Sequence, residues 1–351
     1  MQKFMKKMNY DYFVWANDLR NNSGEGILGE HFLNKIIKKN KSKVFYVKTP
    51  FEEYYIINNK KKIILKKKNT QNFTFKYVLN LINIFSIWLN YLNNKKIIYI
   101  NFLPLWNVFI FLFLPSNTIL GPITGSAKNN SKTFFQKFFR NLLFPFFFKI
   151  SIFLIYHKFK KAIFSTDLLK SVINKKYLNK FVFNFVIDLY QKKLFKKKRI
   201  VDLIYYNRDH PNKSDNSQIE LINEFKSKFT IYIVGNKLNL SGVKNLGFVN
   251  RKKLILMLSK SKFALNSSEN FYTLFVMDAL NHGCNVINNN LVSINIFDKK
   301  KFIILKKNLK KNIFLINQAL NNFKNKKYNK ITTNNYNIIK DEISNYVDKI
   351  K

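Results

Sequence analysis

The chain has 351 residues, 47% of them hydrophobic, which suits two domains of ordinary size with a buried core each. Its formal charge is +43, from 62 Lys and Arg against 19 Asp and Glu, and taken alone that points to nucleic acid or an anionic membrane. A single cysteine, Cys284, excludes an internal disulfide and agrees with a cytoplasmic location.

Composition accounts for most of the charge. Lys, Asn, Ile and Phe share AT-rich codons and are inflated together, while Gly, Pro, Ala and Arg are scarce. There are only five arginines, where a dedicated nucleic-acid reader uses them for bidentate contacts. Nine glycines survive this drift: Gly24, Gly26 and Gly29, then Gly121 and Gly125, Gly235, Gly242 and Gly247, and Gly283. They mark turns or close backbone approach to a ligand.

The N-terminal MQKFMKKMNYDYFVW has no apolar core followed by a small-residue cleavage site, so no signal peptide is expected. Residues 12–15 read as a first strand and 17–31 as a polar, Gly-rich turn entering a helix. A strand at 44–48, a charged β-prone stretch at 54–65 and a helical pattern at 75–92 follow. Next come a strand at 97–101, a helix at 107–114, a strand at 118–120, the loop GPITGS, a long helix at 131–156 and a strand at 162–165. The apolar stretches 102–115 and 142–156 are too short or too interrupted for the about 20 residues of a membrane span. Buried helices are expected there, with a membrane-resting face as the alternative.

Charge thickens at 191–198, and a new strand at 199–206 opens a second half. That half alternates helix 217–225, strand 230–234, strand 246–249, helix 252–259, strand 262–265, a helix carrying Asp278 that stops at Gly283, a short strand, strand 302–305 and helix 309–323. A last amphipathic helix covers 337–347. The alternation predicts an α/β fold with parallel sheets in two Rossmann-like domains. The N-terminal domain is placed at 1–195 and the C-terminal one at 196–330, with a C-terminal helix in 331–351 set to pack back on the first domain. No period of 20 to 50 residues recurs, against a solenoid. Residues 262–286, KFALNSSENFYTLFVMDALNHGCNV, are the organising stretch: strand, polar turn with the lone acid Glu269, then helix, the arrangement that binds ligands at the carboxyl edge of an open sheet.

Five features in this order, SGEGILG, GPITG, the pair Arg208 and Lys213, Gly247 to Val249 and the helix with Glu269 and Asp278, resemble GT-B glycosyltransferases of the retaining, nucleotide-sugar-dependent kind (family 4, group 1 type). The resemblance covers about residues 10–325 and is most specific over 199–286. It implies two domains facing a central cleft. It also implies that Arg208 and Lys213 stabilise charge growing on a leaving nucleoside diphosphate, and that Glu269 or Asn270 holds the first acid position against the donor sugar. The family's acids are two glutamates seven residues apart. Here eight residues intervene and the second acid is Asp278, which would bond the ribose. Backbone around Tyr272, Thr273 and Leu274 would hold the diphosphate, with Gly26 and Gly235 allowing close approach. Glu25, Gly121, Thr124 and Gly125 are the candidates for acceptor binding, against a surface acid and plain loop glycines.

His31, His157, His210 and His282 form no pair with metal-ligand spacing, and no D-x-D stands in a suitable loop, so no metal and no cofactor are expected. His282 reads as a helix cap, His157 as structural, and His210 as a neighbour of the two cations. The implied function is transfer of a hexose to a glycan or lipid-linked acceptor in surface polysaccharide biosynthesis, with peripheral contact to an anionic membrane and no specific nucleic acid. Two other classes compete: a basic nucleic-acid-binding protein and a GT-B partner subunit without catalysis.

Overall fold

Strand and helix alternate along the chain because short β-branched and aromatic runs are separated by longer apolar-periodic segments. The structure is a computed structural model. It describes residues 8–20, 23–59, 61–67, 73–101, 103–124, 138, 142–159, 161–190, 198–209, 216–267, 271–288, 302–306, 308–323 and 334–349. Among them two compact units form, one drawing on Met1–Lys128, Phe138–Phe185 and Asp341–Lys351, the other on Val186–Lys340.

The first unit contains β1 (Tyr12–Ala16), α1 (Gly24–Lys39), β2 (Phe45–Lys48), β3 (Glu52–Ile57), β4 (Lys61–Lys67), α2 (Phe73–Leu92), β5 (Lys96–Ile100), α3 (Val108–Phe113), β6 (Ile119–Leu120), α4 (Phe144–Lys158), β7 (Ala162–Ile163) and β8 (Phe181–Val182). Its main sheet runs β4-β3-β2-β1-β5-β6. All five residues of β1 are buried, as expected of a central parallel strand covered on both faces. Strand order reverses between β1 and β5, so the segments after these two strands share one carboxyl edge.

The purely parallel sheet expected from the alternation is modified at one edge. Strands β3 and β4 form an antiparallel hairpin, and β2 also pairs antiparallel with β3. Asn58 and Asn59 follow β3 into the turn with φ of 49° and 60°, both in the left-handed region, and pairing resumes at Ile57 with Lys61. Asn tolerates that region best after Gly, which explains a hairpin in a glycine-poor chain.

At the carboxyl edge, Asn101 follows β5 with φ 65° and donates its side-chain amide to the Asp18 carbonyl. A Cβ on Gly29 would collide with the Asn101 side chain, which is buried. Gly29→Ala is therefore expected to lower stability by about 1–3 kcal/mol through overpacking, read as a shift in the urea midpoint with unchanged slope.

The second unit contains β9 (Val201–Asn207), α5 (Asn216–Phe225), β10 (Ile231–Gly235), β11 (Lys244–Gly247), α6 (Arg251–Ser259), β12 (Ser261–Leu265), α7 (Leu274–Asn281), β13 (Asn285–Asn288), β14 (Phe302–Ile304) and α8 (Leu309–Asn321). Its sheet runs β11-β10-β9-β12-β13-β14, and every pair is parallel. In order of appearance this is 3-2-1-4-5-6, the doubly wound dinucleotide-fold order, with its switch point between β9 and β12. Leu203, Tyr205, Ile233, Phe263, Leu265 and Ile287 from the strands close on Leu221, Phe225, Ile316 and Leu320 from α5 and α8.

The last helix, α9 (Asn334–Asp348), ends in the first unit, to which Asp341–Lys351 belong. There the Tyr346 hydroxyl donates to the Leu120 carbonyl at 3.1 Å, and Asp348 pairs with Lys39 at 2.6 Å.

Candidate functional site

In the second unit, the loops after β9 and β12 open on opposite sides of the switch point. The loop after β9 is pinned to the one after β10: Asn207 Nδ2 donates to the Asn236 carbonyl at 2.9 Å, Asn236 N–H donates back to the Asn207 carbonyl at 3.0 Å, and Asp209 N–H donates to Asn236 Oδ1 at 3.0 Å. Gly235 makes this crossing sterically feasible. It has φ 92°, and a Cβ there would run into the Asn207 carbonyl oxygen. Its requirement is thus met within the protein, in addition to any approach by a ligand.

Arg208 stands at the end of this clamp. Its guanidinium carbon lies 5.8 Å from the centre of the Tyr206 ring, and Tyr206 in turn stacks on Phe275 at 5.1 Å. Phe275 is the second residue of α7, so the Tyr206 ring links Arg208 to the first turn of that helix. Arg208 is half-buried, and the cation–π contact with Tyr206 helps to hold its guanidinium in place.

Thr273 caps α7. Its Oγ1 accepts from Val276 N–H and donates to Asn266 Oδ1, both at 3.2 Å. The first-turn N–H groups of Leu274 and Phe275 have no intrahelical carbonyl to reach and carry the positive end of the helix dipole. Behind the cap lies a buried polar chain. Tyr205 Oη donates to Gln218 Oε1 at 3.2 Å, Gln218 Nε2 to the Asn266 carbonyl at 2.8 Å, and Asn266 Nδ2 to Asn288 Oδ1 at 3.1 Å. This network ties β9, α5, β12 and β13 to the start of α7 and fixes the direction in which its N–H groups point. Tyr272 is buried in the same turn.

Asp278 departs from its expected place at the ribose. Its carboxylate is 5% exposed and accepts a two-pronged contact from Arg251, with Nε to Oδ2 at 3.0 Å and Nη2 to Oδ1 at 2.7 Å. The hydrogen bond to Asp278 holds the Arg251 guanidinium above its ordinary pKa. The pair bolts the first residue of α6 to α7, because a carboxylate on the inner face of a packed helix takes the nearest fork-shaped donor. His282 is the C-cap residue of α7, with its ring Nδ1 2.7 Å from the Asp278 carbonyl oxygen. Lys213, His210, Glu269, Asn270 and Gly125 lie outside the described residues.

In the first unit the structure brings two acceptor candidates together. Ser23 caps α1 by accepting from Gly26 N–H at 3.0 Å, and Gly26 lies so close beneath the preceding turn that a Cβ would meet the Arg20 carbonyl. Glu25, in the first turn, accepts from Thr124 Oγ1 at 3.1 Å. Glu25 keeps access to solvent, yet desolvation by surrounding protein atoms, assisted by Asp18, lifts its carboxyl above the usual range while the Thr124 bond opposes the shift. Gly121 donates to the Tyr99 carbonyl at 2.8 Å and packs tightly on Ile100, which gives it a structural reason to be glycine. His157 sits among Phe153, Tyr156 and Tyr177.

Residues missed in the sequence are Arg251, Gln218, Asn266 and Tyr206. Arg251 carried a usable signal, being one of five arginines in a lysine-rich chain. The amides carried none, because Asn is abundant throughout.

No protein-family model and no curated protein sequence matches the chain. Solved structures do match over nearly its whole length, and they establish its class: the chain has the GT-B fold, two Rossmann-like α/β domains. Among them are sucrose-phosphate synthase from Thermosynechococcus elongatus, at TM-score 0.60 and 8% identity over 97% of this chain and 98% of that one, and HepE from Anabaena in complex with UDP, at TM-score 0.55 and 11% identity over 97% of both. A Listeria monocytogenes structure described as a UDP-N-acetylglucosamine 2-epimerase matches at TM-score 0.53 and 10% identity, over 97% of this chain and 98% of that one.

Proposed function

We propose that the chain is a glycosyltransferase that moves a hexose from a nucleotide-sugar donor, with retention, to a glycan or lipid-linked acceptor in surface polysaccharide biosynthesis. The observation that carries this reading is Arg208 linked through the Tyr206 ring to the first turn of α7 at the switch point of a doubly wound sheet. A guanidinium linked through one ring to a helix start whose first N–H groups have no intrahelical acceptor is suited to a diphosphate. HepE, which shares the fold, binds UDP, so UDP is the first nucleotide to test.

Chemically, cleavage of the sugar–phosphate bond leaves a nucleoside diphosphate with growing negative charge on the departing oxygen. Arg208 and the α7 N–H groups lower the barrier to the extent that they hold that charge better than the ground-state ester. Lys213 adds a second cation, and Glu269 or Asn270 lies against the donor sugar, as the family resemblance assigns them. Retention follows when the leaving oxygen assists attack on the same face. Glu25 and Thr124 orient the acceptor hydroxyl, and the raised Glu25 carboxyl accepts a proton more readily than an ordinary glutamate.

One observation favours a second reading. Asp278 is paired with Arg251 where the resemblance puts an acid on the ribose, a departure that fits a partner subunit without catalysis. A thermal-shift screen with UDP-, GDP-, dTDP- and ADP-sugars, followed by donor-turnover assays, separates the two. A cognate nucleotide at about 100 times its Kd stabilises by about 2.7 kcal/mol, a rise of roughly 5–10 °C for a domain the size of the second unit. Stabilisation without turnover supports the non-catalytic subunit. No shift with any nucleotide overturns both readings.

A further inference from the structure

Three helices of the first unit expose the wrong side chains for a protein surrounded by water. Among the described side chains of α2, those at 83–92, the exposed positions are Phe85, Trp88, Leu89 and Leu92, a stripe at helical spacing with no charge in it. On α3 they are Phe109, Leu112 and Phe113. On α4 and just before it, Leu142, Phe146 and Phe153 stand out, with Lys149 between them, while Phe148, Ile152 and Ile155 fill the opposite, buried face. Phe85 is 71% exposed, Phe109 62% and Phe146 58%.

These stripes form one face. Trp88 Nε1 donates to the Phe113 carbonyl at 2.7 Å, joining α2 to α3, and Lys158 of α4 donates to the Phe111 carbonyl at 3.4 Å. Trp106, itself 39% exposed, stacks on Phe144 at 5.9 Å. An apolar surface of this extent marks an interaction site. Among the described residues no helix is long and apolar enough to cross a membrane, so the face is suited to lying on a surface.

A basic cavity adjoins it. Lys95, Lys96, Lys161 and Lys349, with Tyr91 and Tyr346, line a space of about 420 Å³ at the amino-terminal edge of the sheet. No carboxylate lines it; Asp11 nearby pairs with Lys43 at 3.1 Å, and Asp348 pairs with Lys39 at 2.6 Å. Burial and the neighbouring Lys349 ammonium depress the Lys161 pKa, the mark of two cations held together without a counter-ion. Tyr91 connects cavity and face, since its ring packs edge-on against Trp88 at 5.5 Å.

Charge decides the occupant. Between Glu53 and Asp167 the sequence contains no acidic residue, and among the described residues the face and its cavity carry Lys95, Lys96, Lys149, Lys158, Lys161 and Lys349. Two copies of such a surface repel each other, whereas anionic lipid attracts it. We propose that this face of the first unit lies on an anionic phospholipid bilayer, with the aromatic stripes at the acyl boundary and a lipid phosphate in the four-lysine cavity. Indole and phenol rings at that depth match the aromatic belts of interfacial proteins. The proposal rests on the first unit alone, so it stands or falls separately from the donor site.

The test uses the full chain and cosedimentation with vesicles of phosphatidylcholine alone or mixed with phosphatidylglycerol. Binding to the mixed vesicles, weakened by salt and at least tenfold weaker to phosphatidylcholine alone, is expected. Phe109→Ser with Phe153→Ser should remove it while leaving the melting temperature and nucleotide binding unchanged, because both rings are exposed. Lys161→Ala with Lys349→Ala should weaken binding to mixed vesicles about 30-fold. Equal binding to both vesicle types overturns the proposal, as does unaltered binding of the Phe variant. Sedimentation equilibrium showing a dimer that the Phe variant dissolves would assign the face to a second copy. Glycerol phosphate binding that depends on Lys161 and Lys349, without vesicle binding, would assign the cavity to a soluble phosphate and also overturn it.

Discussion

Arg208→Ala is expected to reduce sugar transfer by about 100- to 1000-fold, the usual loss when one donor to a developing negative charge is removed. The fold should survive, because the loop that carries Arg208 is held by backbone and amide bonds of Asn207, Asp209 and Asn236 that the substitution leaves in place. What disappears is a cation stacked on Tyr206. A guanidinium that acts on the departing diphosphate should affect kcat more than the ground-state affinity for the intact donor, and affinity for free UDP should fall as well. Arg208→Lys should restore part of the charge but little of the two-pronged geometry. Full transfer activity in Arg208→Ala, with wild-type affinity for UDP, would place the leaving-group site elsewhere.

The fold was legible to the extent that hydrophobic period and polar punctuation reveal it. Strands such as Val201–Asn207 and Ser261–Leu265 are short apolar runs, and helices such as Phe73–Leu92 repeat at three and four residues, so both were predicted within one to three residues. The β3–β4 hairpin was missed because its turn is Asn58-Asn59, in a chain where Asn is everywhere and therefore signals nothing locally. The short paired strands β7 and β8 were only half visible, since Phe181–Val182 has two residues and no periodicity to detect. Part of the site follows the same logic. The start of α7 could be read from a strand–turn–helix pattern, but whether Asp278 points to a ligand or into the protein depends on a partner 27 residues earlier. Glu25 and Thr124 were proposed separately, and only the tertiary fold brings positions 99 residues apart to 3.1 Å. Glycines misled in part: Gly26, Gly29 and Gly235 each have a neighbouring protein group that excludes a Cβ, so survival against compositional drift marks packing as readily as ligand approach.

Asp278→Ala is expected to cost about 2–3 kcal/mol of stability, at or below the lower end for breaking a buried pair, because Arg251 keeps a third of its side chain in water and can recover some hydration. Both prongs of the contact are lost together, and the remaining guanidinium sits against α7 with no carboxylate to meet it. Arg251→Met should destabilise similarly, since it leaves Asp278 buried and charged. The double variant Asp278→Ala with Arg251→Met should lose less than the sum of the two single changes, with a coupling energy of about 1–3 kcal/mol in the double-mutant cycle. Such a pattern means that the pair serves to dock α6 on α7, and through α7 to aim the helix start to which Tyr206 links Arg208. Nucleotide binding then changes little in either single variant once measured well below its melting temperature. A ribose ligand behaves differently: Asp278→Asn would lose UDP affinity about tenfold or more at nearly unchanged stability, while Arg251→Met would retain it. Unfolding in urea and UDP titration of the same four proteins distinguish these two patterns, because a docking pair moves the midpoint for both partners and a ribose ligand moves the affinity for only one.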